Sequence, residues 1–457
     1  MILPPQDFEI IPPRHQYSVG HMLLWSNMIL LATTGLRCAS RAISVCLSAF
    51  HLNVAVPSWH TGRYWFMRLG YYKFNRAKQF ADDWVWIIDH SVQIGQEKCL
   101  LILGMQLSKM PRGRAITYED LEPIDLIPIC KSNGEIVYTQ LEETIKKTGV
   151  PREIIADHGP DINAGINKFL AVHPDTCSIY DIKHKTAAVL KKMLGDDKEW
   201  LEFVTECATI KKQLQQTELA FLVPPNQRTK ARYMNVEELI AWGISILQFL
   251  DKINNNNASS TNIIPKLSDE TEEKEPSNKL NSYYIGDKTI NVEKCQEKLG
   301  WINKYRDKLS ELNRIMKIVS TVESFIRKNG YSTHSLAQVQ IELQNCSLCE
   351  QSTKIKHTLL EFIKSESEKA KPDETLLGSS EIIESLFGKQ KFLSNEQSKS
   401  GFTRLIVSVG AFVATTTKEV VMAAMTTVKT SDITKWVEIT IGDTVQSLRN
   451  RVLRCGQ

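Results

Sequence analysis

Two short runs in the first half of the chain, "WVWIID" and "REIIAD", climb through aromatic and β-branched residues and stop on an aspartate, Asp89 and Asp157. The segments around them alternate in period. "HSVQIGQE" supplies a polar turn, "KCLLILGMQL" reads as a second buried strand and "IDLIPI" as a third. A helix from about Glu135 to Lys147 follows, then "REIIAD", where "HGP" forces a turn before a helix that begins near Asp161. "TCSIYD" is a fifth strand ending at Asp181, and "HKTAAVLKKML" is a helix. Buried two-sided strands spaced by amphipathic helices require a layered α/β domain and leave little room for any other architecture.

Three strands, helix, strand, helix, strand is the order of an RNase H-like domain without its last helix. "SSEIIESLFGKQK", from Ser379 to Lys391, can supply that helix, with Ile382, Ile383, Leu386 and Phe387 on its apolar face. The expected fold class is therefore α/β, an RNase H-like mixed sheet interrupted by a helical insertion. Residues 76–195 would form the first part of the domain, 196–375 the insertion, 376–400 the final helix and 401–457 a helical C-terminal region. The stretch near 254–282, rich in Asn, Ser, Glu and Lys, reads as a disordered linker inside the insertion.

In that topology the first and fourth strands are neighbours, so Asp89 and Asp157 would point into one site at the sheet's rim. A pair of magnesium ions bridging a phosphate needs hard oxygen ligands, usually three carboxylates gathered from distant parts of the chain. The final helix offers Glu381 and Glu384. Lys391 stands seven residues beyond Glu384, two turns along the same face and near where a phosphate backbone would pass, whereas Glu381 has Gly388 at that place. Glu384 is thus the expected third acid and Glu381 a solvated neighbour. Asp82, Asp83 and Asp161 are expected to cap or solvate elements. For Asp181, with His184 three residues on, a helix N-cap and a supporting or DNA-contacting role both stand.

The formal net charge of +4 sits wholly in the N-terminal segment, where residues 1–75 hold six Arg and Lys against two Asp and Glu. Three helical patterns occur there, the second from about Ser40 to Leu52. After a short break Ser58 can cap a third, in which Trp59, Phe66 and Leu69 share a face. His60, Thr61, Arg63, Tyr64 and Arg68 then fall off the core, the arrangement of a helix-turn-helix DNA-binding domain; a small helical packing domain is the alternative reading. In the insertion, Arg228, Lys230 and Arg232 form a basic cluster that can track phosphates or be a solvated charge run, and Trp200, Trp242 and Trp301 are expected in the core. The ten cysteines lack the spacing of a disulfide framework or a zinc site, Cys346 and Cys349 included; the apolar run from Met22 to Leu31 is too short to cross a bilayer, and that from Leu405 to Ala424 carries Lys418 and Glu419. A reducing cytoplasm is the expected compartment.

In their order along the chain, "PSWHTGRYWFMRLG", "WVWIIDHSVQIG", "IIADHGPDI", "YDIKHKTAAVLKKML", "PPNQRTKARYMN" and "SSEIIESLFGKQK" resemble a bacterial insertion-sequence transposase of the DDE class. The resemblance is to the group whose third acid lies in a Y-x2-R-x3-E-x6-K pattern; Glu384 and Lys391 fit its second half, while Leu377 and Ser380 occupy the tyrosine and arginine places. It implies Mg²⁺-dependent strand cleavage and strand transfer, with Asp89, Asp157 and Glu384 holding two Mg²⁺ ions, or Mn²⁺ in their place. It further implies DNA partners in the form of terminal inverted repeats and target, a homodimer in the synaptic complex, a bacterial nucleoid-associated location, and an N-terminal part that relatives carry before "MILPPQDFEIIPPRHQ". A catalytically inactive, transposase-derived DNA-binding regulator and an RNase H-like nuclease are the competing expectations.

Overall fold

The computed structural model describes residues 4–51, 55–92, 98–129, 131–157, 159–226, 232–260, 282–285, 288–395, 403–442 and 445–454. Helices α1 (Val19–Leu30), α2 (Leu36–Ala49) and α3 (Trp59–Asn75) come first. The Ser58 hydroxyl caps α3 as expected, accepting the Thr61 N–H at 3.2 Å. Then follow β1 (Trp84–Val92), β2 (Lys98–Gln106), β3 (Glu122–Ile129), α4 (Gly134–Thr148), β4 (Glu153–Ala156), α5 (Pro160–Val172), β5 (Cys177–Tyr180) and α6 (Ile182–Leu194).

The five strands make one mixed sheet in the order β3-β2-β1-β4-β5. The β1–β2 and β2–β3 pairs are antiparallel, while β1–β4 and β4–β5 are parallel. The parallel pairings each enclose a helix, α4 or α5, because parallel neighbours need a crossover. Trp84, Trp86 and Ile88 of β1 and Ile154 and Ala156 of β4 share a buried core with Val137 and Leu141 of α4 and Ile162, Ile166 and Phe169 of α5. Alternation sends the intervening residues, Val85, Ile87 and Asp89 on β1 and Glu153, Ile155 and Asp157 on β4, to the other face.

The chain divides into two compact units. One is built from 1–182, 325–335 and 365–457, the other from 183–324 and 336–364. After α6 come α7 (Lys198–Leu214), α8 (Val236–Ser260), a hairpin of β6 (Ser282–Ile285) and β7 (Lys288–Asn291), α9 (Val292–Leu299), α10 (Arg306–Asn329), α11 (Ser335–Glu342) and α12 (Glu350–Ser367). The second unit has its own aromatic core, in which buried Trp200 and Phe203 meet and Phe203 contacts Trp301 and Tyr305. Two expectations are corrected here. α8 runs on through Asn254 to Ser260, so the helix takes the first part of the presumed linker, and a β-hairpin interrupts what reads as all helix. Residues 261–281 of that linker lie outside the described ones.

Past α12 the first unit resumes with α13 (Glu381–Asn395), a 3-10 helix (Arg404–Phe412), α14 (Lys418–Thr427), α15 (Thr430–Thr440) and α16 (Val445–Arg454). The chain's two ends pack together. α3 lies along the Arg404–Phe412 helix so closely that Gly70 and Gly410 face the opposing backbone, with room for no side chain. Lys73, fully buried on α3, donates to the carbonyls of Ala411 (3.2 Å), Val413 (2.7 Å) and Ala414 (2.8 Å) and to the Thr416 hydroxyl (2.8 Å). These are acceptors that a helix end leaves unpaired, and a buried lysine satisfies them. No helix among the described residues is long and apolar enough to cross a membrane.

Candidate active site

The site starts from a register. Ile87 pairs with Ile155 across β1 and β4, and Ala156 with Tyr180 across β4 and β5. Carried two residues on, the first pairing sets Asp89 level with Asp157; carried one residue on, the second sets Asp157 level with Asp181. Neighbouring strands lie about 4.8 Å apart, and all three residues take the same face by strand alternation. Asp89 and Asp157 are half-buried, and Asp181 is completely buried. The Asp89 carboxylate accepts the His90 N–H at 2.6 Å, and that of Asp157 accepts the Gly159 N–H at 2.9 Å, which tightens the turn into α5.

The opposite face at the same rim is polar too. Asp161, in the first turn of α5, accepts from Lys98 at 2.8 Å and stands 3.6 Å from His90 Nδ1. Burial works to raise its pKa, but the hydrogen bond from Lys98 and the charges of His90 and Lys98 outweigh that and hold it far below the usual carboxylate range. His90 is pushed down by burial, against the pull of Asp161 and Asp157. Asp83 anchors the end of β2, accepting from Gln106 and from the backbone and hydroxyl of Ser108. Asp83 and Asp161 thus hold the structural places expected of them.

α13 packs against β1. Ile383, Leu386 and Phe387 are its buried face, joined by Gln390 and Leu393; Ile382 is half-buried. Glu384 and Lys391 are both exposed, on one stripe of the helix as their seven-residue spacing requires. Glu381 is not merely solvated: it pairs with Arg327 at 3.2 Å. The strand register therefore sets Asp89 level with Asp157, while Glu384 stands exposed on a helix that packs against β1. Among the described residues no three His, Cys, Asp or Glu side chains gather as a group that could hold a metal. The donors present are nonetheless all carboxylate oxygens, the chemistry of magnesium and manganese and not of zinc.

Asp181 has a partner that the sequence does not disclose. Beside whatever it does for the helix that follows it, it reaches a distant one: its Oδ2 accepts from the Ser380 N–H at 2.5 Å and the Ser380 hydroxyl at 3.1 Å, just before α13. Tyr180, beside it, has its pKa raised by burial first and by the charges of Asp157 and Asp181 second. A second buried acid on the same sheet face, Glu153, accepts the Leu377 N–H at 2.9 Å. The only hint of either contact is that "TCSIYD" ends, like the other two runs, on an aspartate.

At the N-terminal end, His60 is exposed and Thr61, Arg63 and Tyr64 are half-buried. The His60 ring stacks on Trp59 at 3.6 Å, and Arg63 lies over Trp59 and Tyr64 at 5.8 and 5.5 Å. Arg37 of α2, absent from the sequence-derived set, covers the same Trp59 at 4.8 Å. Arg68 departs from expectation: it points inward, donating to His15 Nε2 at 3.0 Å and to the Met425 carbonyl. The connection from α2 to α3 spans 50–58, longer than the three or four residues of a helix-turn-helix turn. Arg228 and Lys230 lie outside the described residues, and Arg232 is described only as backbone in a short 3-10 helix.

No family model matches the chain, and no curated protein matches it. Among solved structures it is similar to a chain of the Drosophila P element transposase strand transfer complex, at 13% identity and a TM-score of 0.38, over 91% of this chain and 93% of that one.

Proposed function

We propose that the first unit is a metal-dependent DNA strand-cleaving and strand-transferring enzyme of the DDE type, on an RNase H-like scaffold. The observation that carries this reading is the β1–β4 register, which sets Asp89 level with Asp157 on the sheet face where α13 packs. The order β3-β2-β1-β4-β5, antiparallel then parallel, with a later helix on the first strand, supports the scaffold. Asp89, Asp157 and Glu384 would hold two Mg²⁺ ions. Bound there, the metal supplies Lewis-acid activation of a water or 3′-hydroxyl and stabilises the departing oxygen. Lys391, exposed on the Glu384 stripe, meets the phosphate backbone. His60, Thr61, Arg63 and Tyr64, with Arg37, offer cations and aromatic faces to the DNA ends, and Arg228, Lys230 and Arg232 extend the phosphate contacts. Two such chains would bring a pair of terminal inverted repeats together.

A DNA-binding regulator without catalysis is the second reading. What favours it is the exposed position of Glu384, with no three-carboxylate group assembled among the described residues. One experiment separates the two. The protein is incubated with labelled DNA from the flanks of its gene and Mg²⁺, beside Asp89→Ala, Asp157→Ala and Glu384→Ala. The enzyme reading expects nicking by the parent chain and none by any variant, with DNA affinity retained. Binding without cleavage by the parent chain supports the regulator, and undiminished cleavage by one variant removes that residue from the site.

A further inference from the structure

We propose that Asp181 is a positioning residue: by holding Ser380, the residue that leads into α13, it fixes the first turn of that helix, and with it Glu384, beside the rim that carries Asp89 and Asp157. The inference deepens the proposed enzyme reading and rests on it for its catalytic consequence. The hydrogen bonds themselves do not depend on that reading.

The segment from Glu374 to Ser380 delivers the chain into α13 and is tied down nearly residue by residue. Glu374 takes two hydrogen bonds from Arg152, at 2.8 and 2.7 Å. Leu376 exchanges backbone hydrogen bonds with Tyr331, both at 2.8 Å. Leu377 donates to Glu153, and the Gly378 carbonyl accepts from the Ile182 N–H at 3.1 Å. Ser380 ends the series with both its donors on Asp181. Apart from Tyr331, the anchors come from the leading edge of β4, from β4 itself and from the end of β5, so the sheet that carries Asp89 and Asp157 also helps set where α13 begins.

Position then follows from helix geometry. Glu384 is the fourth residue of α13, in the first turn, where the Glu381 N–H goes to the Ser379 hydroxyl at 3.3 Å and the Ile383 N–H to the Ser380 carbonyl at 2.9 Å, so the placement of Ser379 and Ser380 sets the turn. One residue of slippage displaces a helical side chain by about 1.5 Å along the axis and about 100° around it. A buried carboxylate at a helix N-terminus also meets the positive end of the helix dipole. Losing it loosens the turn that carries Glu384, while Glu381 keeps its tie to Arg327.

The test uses the full chain with Asp181→Ala and Asp181→Asn, and two readouts. In hydrogen exchange, Asp181→Ala should speed exchange of the amides at the start of α13 and spare β1, while Asp181→Asn, whose side-chain oxygen still accepts, stays near the parent. In single-turnover cleavage at saturating DNA, Asp181→Ala should slow the reaction roughly tenfold or more without changing the DNA concentration for half-saturation, and Asp181→Asn should recover most of the rate. Should Asp181→Ala not fold, Ser380→Ala removes one of the two donors and should give the same exchange signature at smaller amplitude. Unchanged exchange at α13 in the alanine variants overturns the inference, as does faster exchange with undiminished cleavage. If both Asp181 variants are equally inactive with α13 exchange unchanged, Asp181 acts on metal or DNA directly and the positioning role is wrong. If the parent chain cleaves nothing, the enzyme reading fails by itself, and the exchange measurement still decides whether Asp181 holds α13.

Discussion

Replacing Gly70 by alanine tests how the two ends of the chain are joined. A Cβ there would stand 2.2 Å from the Val407 carbonyl oxygen, 3.0 Å from the Ser408 Cα and 3.1 Å from the Val407 carbonyl carbon, all of them backbone atoms that cannot rotate away. Ordinary C···O contact begins near roughly 3.3 Å, so α3 and the Arg404–Phe412 helix must part by about 1 Å. A gap of that size forfeits up to about half of the dispersion energy across the interface. It also stretches the Lys73 hydrogen bonds and the Phe66–Phe412 ring contact at 5.3 Å. Overpacking of this kind costs about 3 kcal/mol at the upper end of its usual range. Alanine returns about 1 kcal/mol through its better helix propensity, leaving a net loss of about 2 kcal/mol. For a body of this size that is a fall in Tm of roughly 3 °C. Gly388→Ala is the control: it lies in α13, is exposed, and an added Cβ meets nothing within 4 Å. It should stabilise by about 0.5–1 kcal/mol. Both are read by thermal melting under circular dichroism. A Gly70→Ala chain that melts at or above the parent would mean the two helices do not pack as described.

Glu153 is completely buried, and burial raises its carboxyl well above the ordinary value, so folding must take up a proton wherever the unfolded chain has already ionised it. That cost begins near the unfolded pKa and grows as pH rises toward the folded one; Glu153→Gln, which can still accept the Leu377 N–H, escapes it. The melting temperature of Glu153→Gln should gain on the parent from pH 5 to pH 7, and a gap that narrows would reverse the sign. Arg152, 9% exposed, holds Glu374 and also donates to the carbonyls of Asp175 and Lys369. Arg152→Ala should therefore cost about 3–5 kcal/mol in urea unfolding, and a loss below about 1 kcal/mol would show that the pair is solvated and slack. On the DNA surface, Arg37→Ala and Arg63→Ala should each lower the slope of log affinity against log salt by about 1. Slopes identical to the parent's would take the Trp59 patch out of the interface.

The sheet is legible because its central strands, β1, β2 and β4, are buried on both faces and so are near-continuous apolar runs, while the shorter and more exposed β3 and β5 are marked by the turns that bound them. What the sequence misreads are positions whose fate is settled far away or against local preference. The asparagine run at the end of α8 carries residues that compete with the backbone and favour turns, yet the helix continues to Ser260. Arg68 falls off the apolar stripe of α3 on a helical wheel, but its acceptor at Met425 is supplied 357 residues later, and no local periodicity reports that. Lys73, near the end of α3, likewise finds its acceptors at Val413 and Ala414, some 340 residues later.

The three aspartates show where sequence pattern stops and burial takes over. "WVWIID", "REIIAD" and "TCSIYD" carry the same signature, an apolar run halted by a carboxylate, and parallel pairing puts Asp89, Asp157 and Asp181 side by side at one rim. A carboxylate that is to bind a hard cation must reach incoming ligands, and half-buried Asp89 and Asp157 retain that access. Asp181 is fully buried, and a charge in that setting persists only when hydrogen bonds replace water. Ser380 supplies two of them, so a carboxylate withdrawn from solvent is tied to the residue that leads into α13. The rim thus contains both the acids proposed for chemistry and the one proposed to position Glu384, and it is exposure, not sequence, that tells them apart.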